Sequence, residues 1–110
     1  MPSKPPVIFP NEKKILTNFG ERIRLARLRR EISAETLAAQ SLISRMTLHR
    51  AEKGSPAVSL GVYLRIMAAL GLQSDFDLLA KDDVLGRKLQ DLELAARRDD
   101  NESKSARSLE

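Results

Sequence analysis

Ser33, Ser44 and Gly54 punctuate the middle of this chain, and no other feature limits its fold as strongly. Each serine stands directly before a short helix-compatible run, where a hydroxyl can accept a bond from an unpaired backbone N–H. Gly54 suits a helix stop, because it takes a left-handed conformation without steric cost. The stretch SAETLAAQSLISRMTLHRAEKG is therefore expected to form one helix from about Ala34 to Gln40, a tight turn, and a second from about Arg45 to Lys53. Helical spacing sorts the second helix into two faces. Leu48, Ala51 and Glu52 share one side. Arg45, His49 and Lys53 form an i, i+4 row on the other, with Met46 and Arg50 beside it. One face is apolar with a single carboxylate; the other is basic and rich in hydrogen-bond donors. A helix of this kind, presented across a turn by a second helix, has the shape to enter the major groove of DNA.

Helical patterning continues on both sides. Met1 to Pro10 contains Pro2, Pro5, Pro6 and Pro10, which favour an extended arm, expected over residues 1–12. Val7, Ile8 and Phe9 within it suit either a disordered tail or an arm packed on a partner. From Asn11, a plausible N-cap, to about Arg30 the pattern is helical, with Ile15, Phe19, Ile23 and Ala26 as the core stripe. Gly20 weakens that helix by roughly 1 kcal/mol relative to Ala. After the turn at Gly54, Ser59 caps a helix from about Leu60 to Leu70 that is apolar nearly all round. Leu60, Leu64, Met67 and Ala68 form one face, expected to cover the core; Val62, Ile66 and Ala69 form another. With Phe76 and Leu79, that second face is the expected homodimer interface, unless the last helix folds back over it. The last helix is expected over residues 81–98, with Val84, Leu85, Leu89, Leu92 and Ala96 as its stripe, and residues 99–110 as a disordered tail.

Glu52 lies on the core side of its helix, where an unpaired carboxylate is costly. Arg27 is the expected partner, since its guanidinium can grip a carboxylate at two points. On the outer face, Arg45 and Arg50 are the expected base contacts, with Met46 either touching a thymine methyl or partly packed in the core. Ser44, Thr47 and Lys53 suit phosphate oxygens, and His49 suits a base or a phosphate.

Charge supports that direction. The net charge of +4 is unevenly spread: residues 1–58 hold 11 basic and 5 acidic side chains, and residues 59–110 hold 8 and 10. The basic half contains the two-helix unit. With no Cys, one His and its five Gly scattered singly, the chain offers no thiolate metal site and no phosphate-cradling loop. No catalytic residue, metal ligand or cofactor is expected. Its longest apolar run, ending at Leu72, is far short of the ~20 residues that cross a bilayer, so a cytoplasmic location is expected.

Gly20-Glu21-Arg22-Ile23-Arg24, Arg27, Leu37-Ala38, Ile43-Ser44-Arg45, Glu52-Lys53-Gly54 and Leu70-Gly71-Leu72 together resemble the lambda-repressor-like, or Xre-type, helix-turn-helix regulators. The resemblance implies an all-α fold, a compact helix-turn-helix bundle of about five helices over residues 13–80, with the N-terminal arm and a C-terminal helical extension. It also implies the Arg27–Glu52 ion pair, a palindromic double-stranded DNA operator and a repressor acting as a homodimer. The run Arg45–Arg50, with Pro56-Ala57-Val58-Ser59-Leu60-Gly61, further resembles the HipB-like antitoxins, which implies a HipA-like kinase toxin as partner. The alternatives are a phage-type regulator without a toxin, or a protein-interaction module that keeps the fold. Two positions depart from the family pattern: Leu42 stands where the interhelix turn usually has Gly, and Ala34 where the first helix often carries a phosphate-contacting Gln.

Overall fold

The computed structural model describes residues 4–108, with side chains to residue 102. It is all-helical, and no strand occurs among the described residues. Five α-helices follow in order: α1 Pro10–Arg29, α2 Ala34–Ser41, α3 Arg45–Glu52, α4 Leu60–Ala69 and α5 Val84–Ser108, with a 3-10 turn at Gln73–Leu78. The chain divides into two compact units, the first ending at Asp77 and the second beginning at Leu78.

The helix starts follow local hydrogen-bonding chemistry. Ser33, Ser44 and Ser59 each accept at Oγ from the backbone N–H of the third residue on, Thr36, Thr47 and Val62, at 3.0–3.1 Å. These bonds satisfy N–H groups that a helix leaves orphaned at its first turn. α1 begins differently. Pro10 occupies its first position, where a missing N–H costs nothing, and Glu12 reaches back to accept from Phe9 N at 2.9 Å. The helix thus starts ahead of Asn11, and the extended arm is shorter than residues 1–12. Residues 1–3, with Pro2, lie outside the described residues.

The core of the first unit joins all four of its helices. Ile23 and Ala26 from α1, Leu37 and Ala38 from α2, Leu48 and Ala51 from α3, and Tyr63, Ile66 and Met67 from α4 are buried together with Leu70. Phe19 packs its ring 5.4 Å from that of Tyr63. The Tyr63 hydroxyl donates to Ser55 O at 2.7 Å and ties the α3–α4 loop to α4. Burial pushes the Tyr63 pKa above its ordinary value.

Three expectations are corrected here. Ile15 is exposed and outside the core stripe. On α4 the expected faces are rotated: Ile66, assigned to a dimer interface, is fully buried, whereas Leu60 and Leu64, assigned to the core, are 66% and 41% exposed. Val62, Ala69 and Phe76 are partly buried and packed against the core, and Leu79 is exposed. Lastly, α5 continues through the stretch expected to be a disordered tail, as far as Ser108; residues 109–110 lie outside the described residues.

Gly20 is a packing residue. A methyl built on it would stand 2.5 Å from Gly54 N and 2.7 Å from Ala51 O, so α1 and the end of α3 approach to backbone contact there. Gly54, at φ +74°, has equally little room against the Leu16 backbone. The helix-propensity cost of Gly20, about 1 kcal/mol, is outweighed by this fit, since overpacking at a rigid backbone contact costs typically ~1–3 kcal/mol. Gly20→Ala should therefore lower the urea midpoint despite improving helix propensity. A higher midpoint would mean that the two backbones stand further apart.

The α2–α3 turn is made by Leu42 at φ 59°, ψ 40°, a left-handed conformation that strains a side chain with a Cβ. Its side chain is 77% exposed and contributes little packing. Leu42→Gly should raise stability by about 1 kcal/mol, because relief of that strain exceeds the added freedom of the unfolded chain. Thermal and urea unfolding read the difference directly.

Candidate nucleic-acid interface

α3 is held from behind and open in front. Leu48 and Ala51 are buried, and Glu52 lies with them on the inner side. The Glu52 carboxylate is gripped at both oxygens by Arg27 of α1: Nε donates to Oε2 at 2.8 Å and Nη2 to Oε1 at 3.1 Å. The third arm of the same guanidinium donates to Ile32 O at 3.2 Å, just before the start of α2. Arg27 thus joins α1, α3 and the α1–α2 loop. Both side chains are largely buried, 13% and 9% exposed, so solvent screens the pair little. The bond to Glu52 raises the Arg27 pKa further above its ordinary value, and the guanidinium is charged at every working pH.

The outward side presents Arg45, Met46, His49, Arg50 and Lys53, all exposed. Met46 is 57% exposed, which places it on the surface and outside the core. Ser44 and Thr47 stand at the entry to the helix. Besides capping, the Ser44 hydroxyl donates to Thr47 Oγ1 at 2.9 Å, so the two hydroxyls form one local pair. Thr47 is half-buried and Ser44 exposed. Ser33 and Thr36 repeat this pair at the start of α2, with 2.8 Å between the oxygens.

Arg45 has a partner that its own helix could not reveal. Its guanidinium bonds Glu35 in the first turn of α2, and both side chains remain more than half exposed. The basic row of α3 therefore carries an acidic neighbour at its N-terminal end, while among the described residues His49, Arg50 and Lys53 have no carboxylate bonded to them. A groove of about 370 Å³ runs between α1 and α3 beside this row. Arg24, Arg45, His49 and Lys53 line it, with Glu21 bonded to Arg24 at 3.2 Å. Glu21 and Arg24 were legible only as part of the family motif and Glu35 not at all, because their places beside α3 follow from how the helices cross. α2 is closed at its far end by Arg65 of α4, whose Nε donates to Ser41 O at 2.9 Å.

The geometry is that of two short helices across a tight turn, the second fixed by its inner face. A family model described as a helix-turn-helix domain matches residues 18–79, which is more than half of the chain. The chain belongs to this helix-turn-helix family. The match spans α2, α3, α4 and most of α1, so the exposed row on α3 lies at the element by which helix-turn-helix domains read DNA. A comparison with curated proteins gives no match. No described helix is long and apolar enough to cross a membrane.

The Arg27–Glu52 pair yields a stability prediction. Glu52→Gln keeps the shape but leaves a buried guanidinium with a neutral acceptor, at a cost of about 2 kcal/mol, the range for hydrogen bonds to charged groups. Urea unfolding at low and high salt should show that loss with little salt dependence. A loss that vanishes in high salt would mean that the pair behaves as an exposed one.

Proposed function

We propose that this chain is a sequence-specific DNA-binding transcriptional repressor that lays α3 in the major groove of a palindromic operator. The observation that carries the reading is the asymmetry of α3. Its inner face is immobilised by Leu48, Ala51 and the Glu52–Arg27 pair, while its outer face presents Arg45, Met46, His49, Arg50 and Lys53 to solvent. A rigid basic helix offered by a helix-turn-helix domain is fitted to groove recognition. One domain covers few bases, so two copies on two half-sites are needed for specificity.

Within the row, roles divide by reach and by partner. Arg50 is unencumbered and can bind guanine O6 and N7 with both arms of its fork. Arg45 starts from its bond to Glu35, so its approach to a base is directed by that carboxylate. Exposed on the same face, Met46 suits a thymine methyl and His49 a base or phosphate. Lys53, beside the Gly54 turn, suits a phosphate, as do the Ser44 and Thr47 hydroxyls at the helix entry.

A finer reading is that the chain is the autoregulatory antitoxin of a HipA-like kinase. It rests on the resemblance of Arg45–Arg50 and Pro56–Gly61 to HipB-like antitoxins, and co-purification with a HipA-like kinase tests it. A protein-interaction module without DNA binding is the competing class. It predicts no salt-dependent binding to duplexes, whereas phosphate contacts impose a steep dependence.

Two substitutions separate base reading from charge attraction. Arg50→Ala should cost about 1–3 kcal/mol on the operator and relax discrimination at one position per half-site. Lys53→Ala should weaken binding to all duplexes alike and lower the salt slope by about 1. Binding-site selection on random duplexes, followed by titration at several salt concentrations, checks both. Equal weakening of specific and random DNA by Arg50→Ala would reassign Arg50 to a phosphate.

A further inference from the structure

α5 carries an apolar row that the DNA-binding reading leaves unused. Leu85, Leu89, Leu92 and Ala96 recur at alternating intervals of four and three residues, the spacing that keeps one seam of a helix turned toward a partner helix. The row lies in the second unit, and its leucines are 57–69% exposed. At the next position of the same spacing stands Asp99, where the seam ends.

The flanking charges select the occupant. Lys88 and Glu93 border the seam on opposite sides, at the positions that face across a coiled coil. In a parallel, in-register pair such a position faces the one five residues further along the other helix. Lys88 then meets Glu93 of a second copy, and by symmetry the contact occurs twice. An antiparallel pair would instead set the row of Gly86, Glu93 and Asp100 against its own copy and the row of Lys88, Ala95 and Glu102 against its own copy, so Lys88 and Glu93 would not meet. Inside one helix, residues five apart do not sit on adjoining turns, so Lys88 and Glu93 have no use for each other there. Glu93 bonds Arg97 through Oε1 at 2.6 Å, which leaves Oε2 free to face another chain.

We propose that α5 pairs with α5 of a second copy of this chain as a short parallel coiled coil, seamed by Leu85, Leu89, Leu92 and Ala96 and held in register by Lys88 and Glu93. The purpose of the pairing rests on the DNA-binding reading: a parallel pair has its two-fold axis along the seam, which is the symmetry that a palindromic operator offers. The seam is shorter than two full heptads, so the pair is weak by itself. It strengthens when two half-sites hold the copies at high effective concentration.

Sedimentation of the full chain at low salt tests the pairing. Wild-type protein should associate reversibly to a dimer. Lys88→Glu and Glu93→Lys should each weaken dimerisation about tenfold, because each reversal creates two like-charge contacts. An equimolar mixture of the two variants should dimerise as tightly as wild type, since a mixed pair restores both attractions. A mixture no tighter than either variant alone overturns the proposal, as does a wild type that stays monomeric. Both variants should bind a single half-site duplex as wild type does and lose only the advantage of the palindrome. If the mixture recovers while wild type binds no duplex at any salt concentration, the seam stands and the DNA-binding reading falls.

Discussion

The attachment of α1 to the C-terminal end of α3 is the constraint on which the recognition surface depends. It has two parts, about two turns apart on α1. At Gly20 the two backbones touch, with no room for a methyl group against Ala51 O and Gly54 N. At Arg27 a guanidinium grips both oxygens of Glu52. The first sets how close the helices come, and the second sets their rotation. A helix fixed in distance and in rotation presents one face only. The exposed row on α3 is outward because the inward face has no freedom to turn. Ion pairs of this sort add little net stability once desolvation is counted, so their value here lies in geometry.

The features that were legible in the sequence are those fixed by local chemistry. A serine directly before a helix-compatible run can satisfy an orphaned N–H of the first turn, and Ser33, Ser44 and Ser59 all do so. The inner position of Glu52 was legible because Leu48 and Ala51 define its face. Features that depend on how helices cross were not. Gly20 reads locally as a weak helix residue, and its packing role exists only once α3 lies across it. Glu35 meets Arg45 from another helix, and no spacing rule links them. α4 failed for a different reason. Leu60, Val62, Leu64, Ile66, Met67 and Ala69 leave almost no polar side to orient the helix, so pattern alone could not choose between two apolar faces. The core took Tyr63, Ile66 and Met67, which places the expected interface residue Ile66 inside the monomer.

Exposed apolar side chains differ in meaning between α4 and α5. On α4 they are Leu60 and Leu64, in the first half of the helix, and not the row that the sequence pointed to. On α5 they form a seam with charges arranged beside it. Scattered exposed leucines require no explanation, but leucines at coiled-coil spacing flanked by complementary charges do. The exposed row on α3 and the α5 seam lie in different units of the chain, so each can be altered by substitution without touching the other.

α2 and α3 are each eight residues long, well below the length at which an isolated helix is stable in water. Their helicity is thus supplied by the core and the caps, and the recognition surface exists only while the first unit is folded. The consequence runs both ways. Weakening the core lowers the fraction of chains able to bind DNA, even when the substituted residue is far from the outer face. Conversely, a duplex that binds only the folded form shifts the folding equilibrium by mass action, by roughly 2.7 kcal/mol at a hundredfold excess over Kd. Losses caused by unfolding can then be told from losses of contact. A variant weakened through stability recovers its DNA affinity on cooling toward the stability maximum or with a stabilising osmolyte. A variant that has lost a base contact keeps its deficit under all such conditions, because the missing hydrogen bonds belong to the bound state alone.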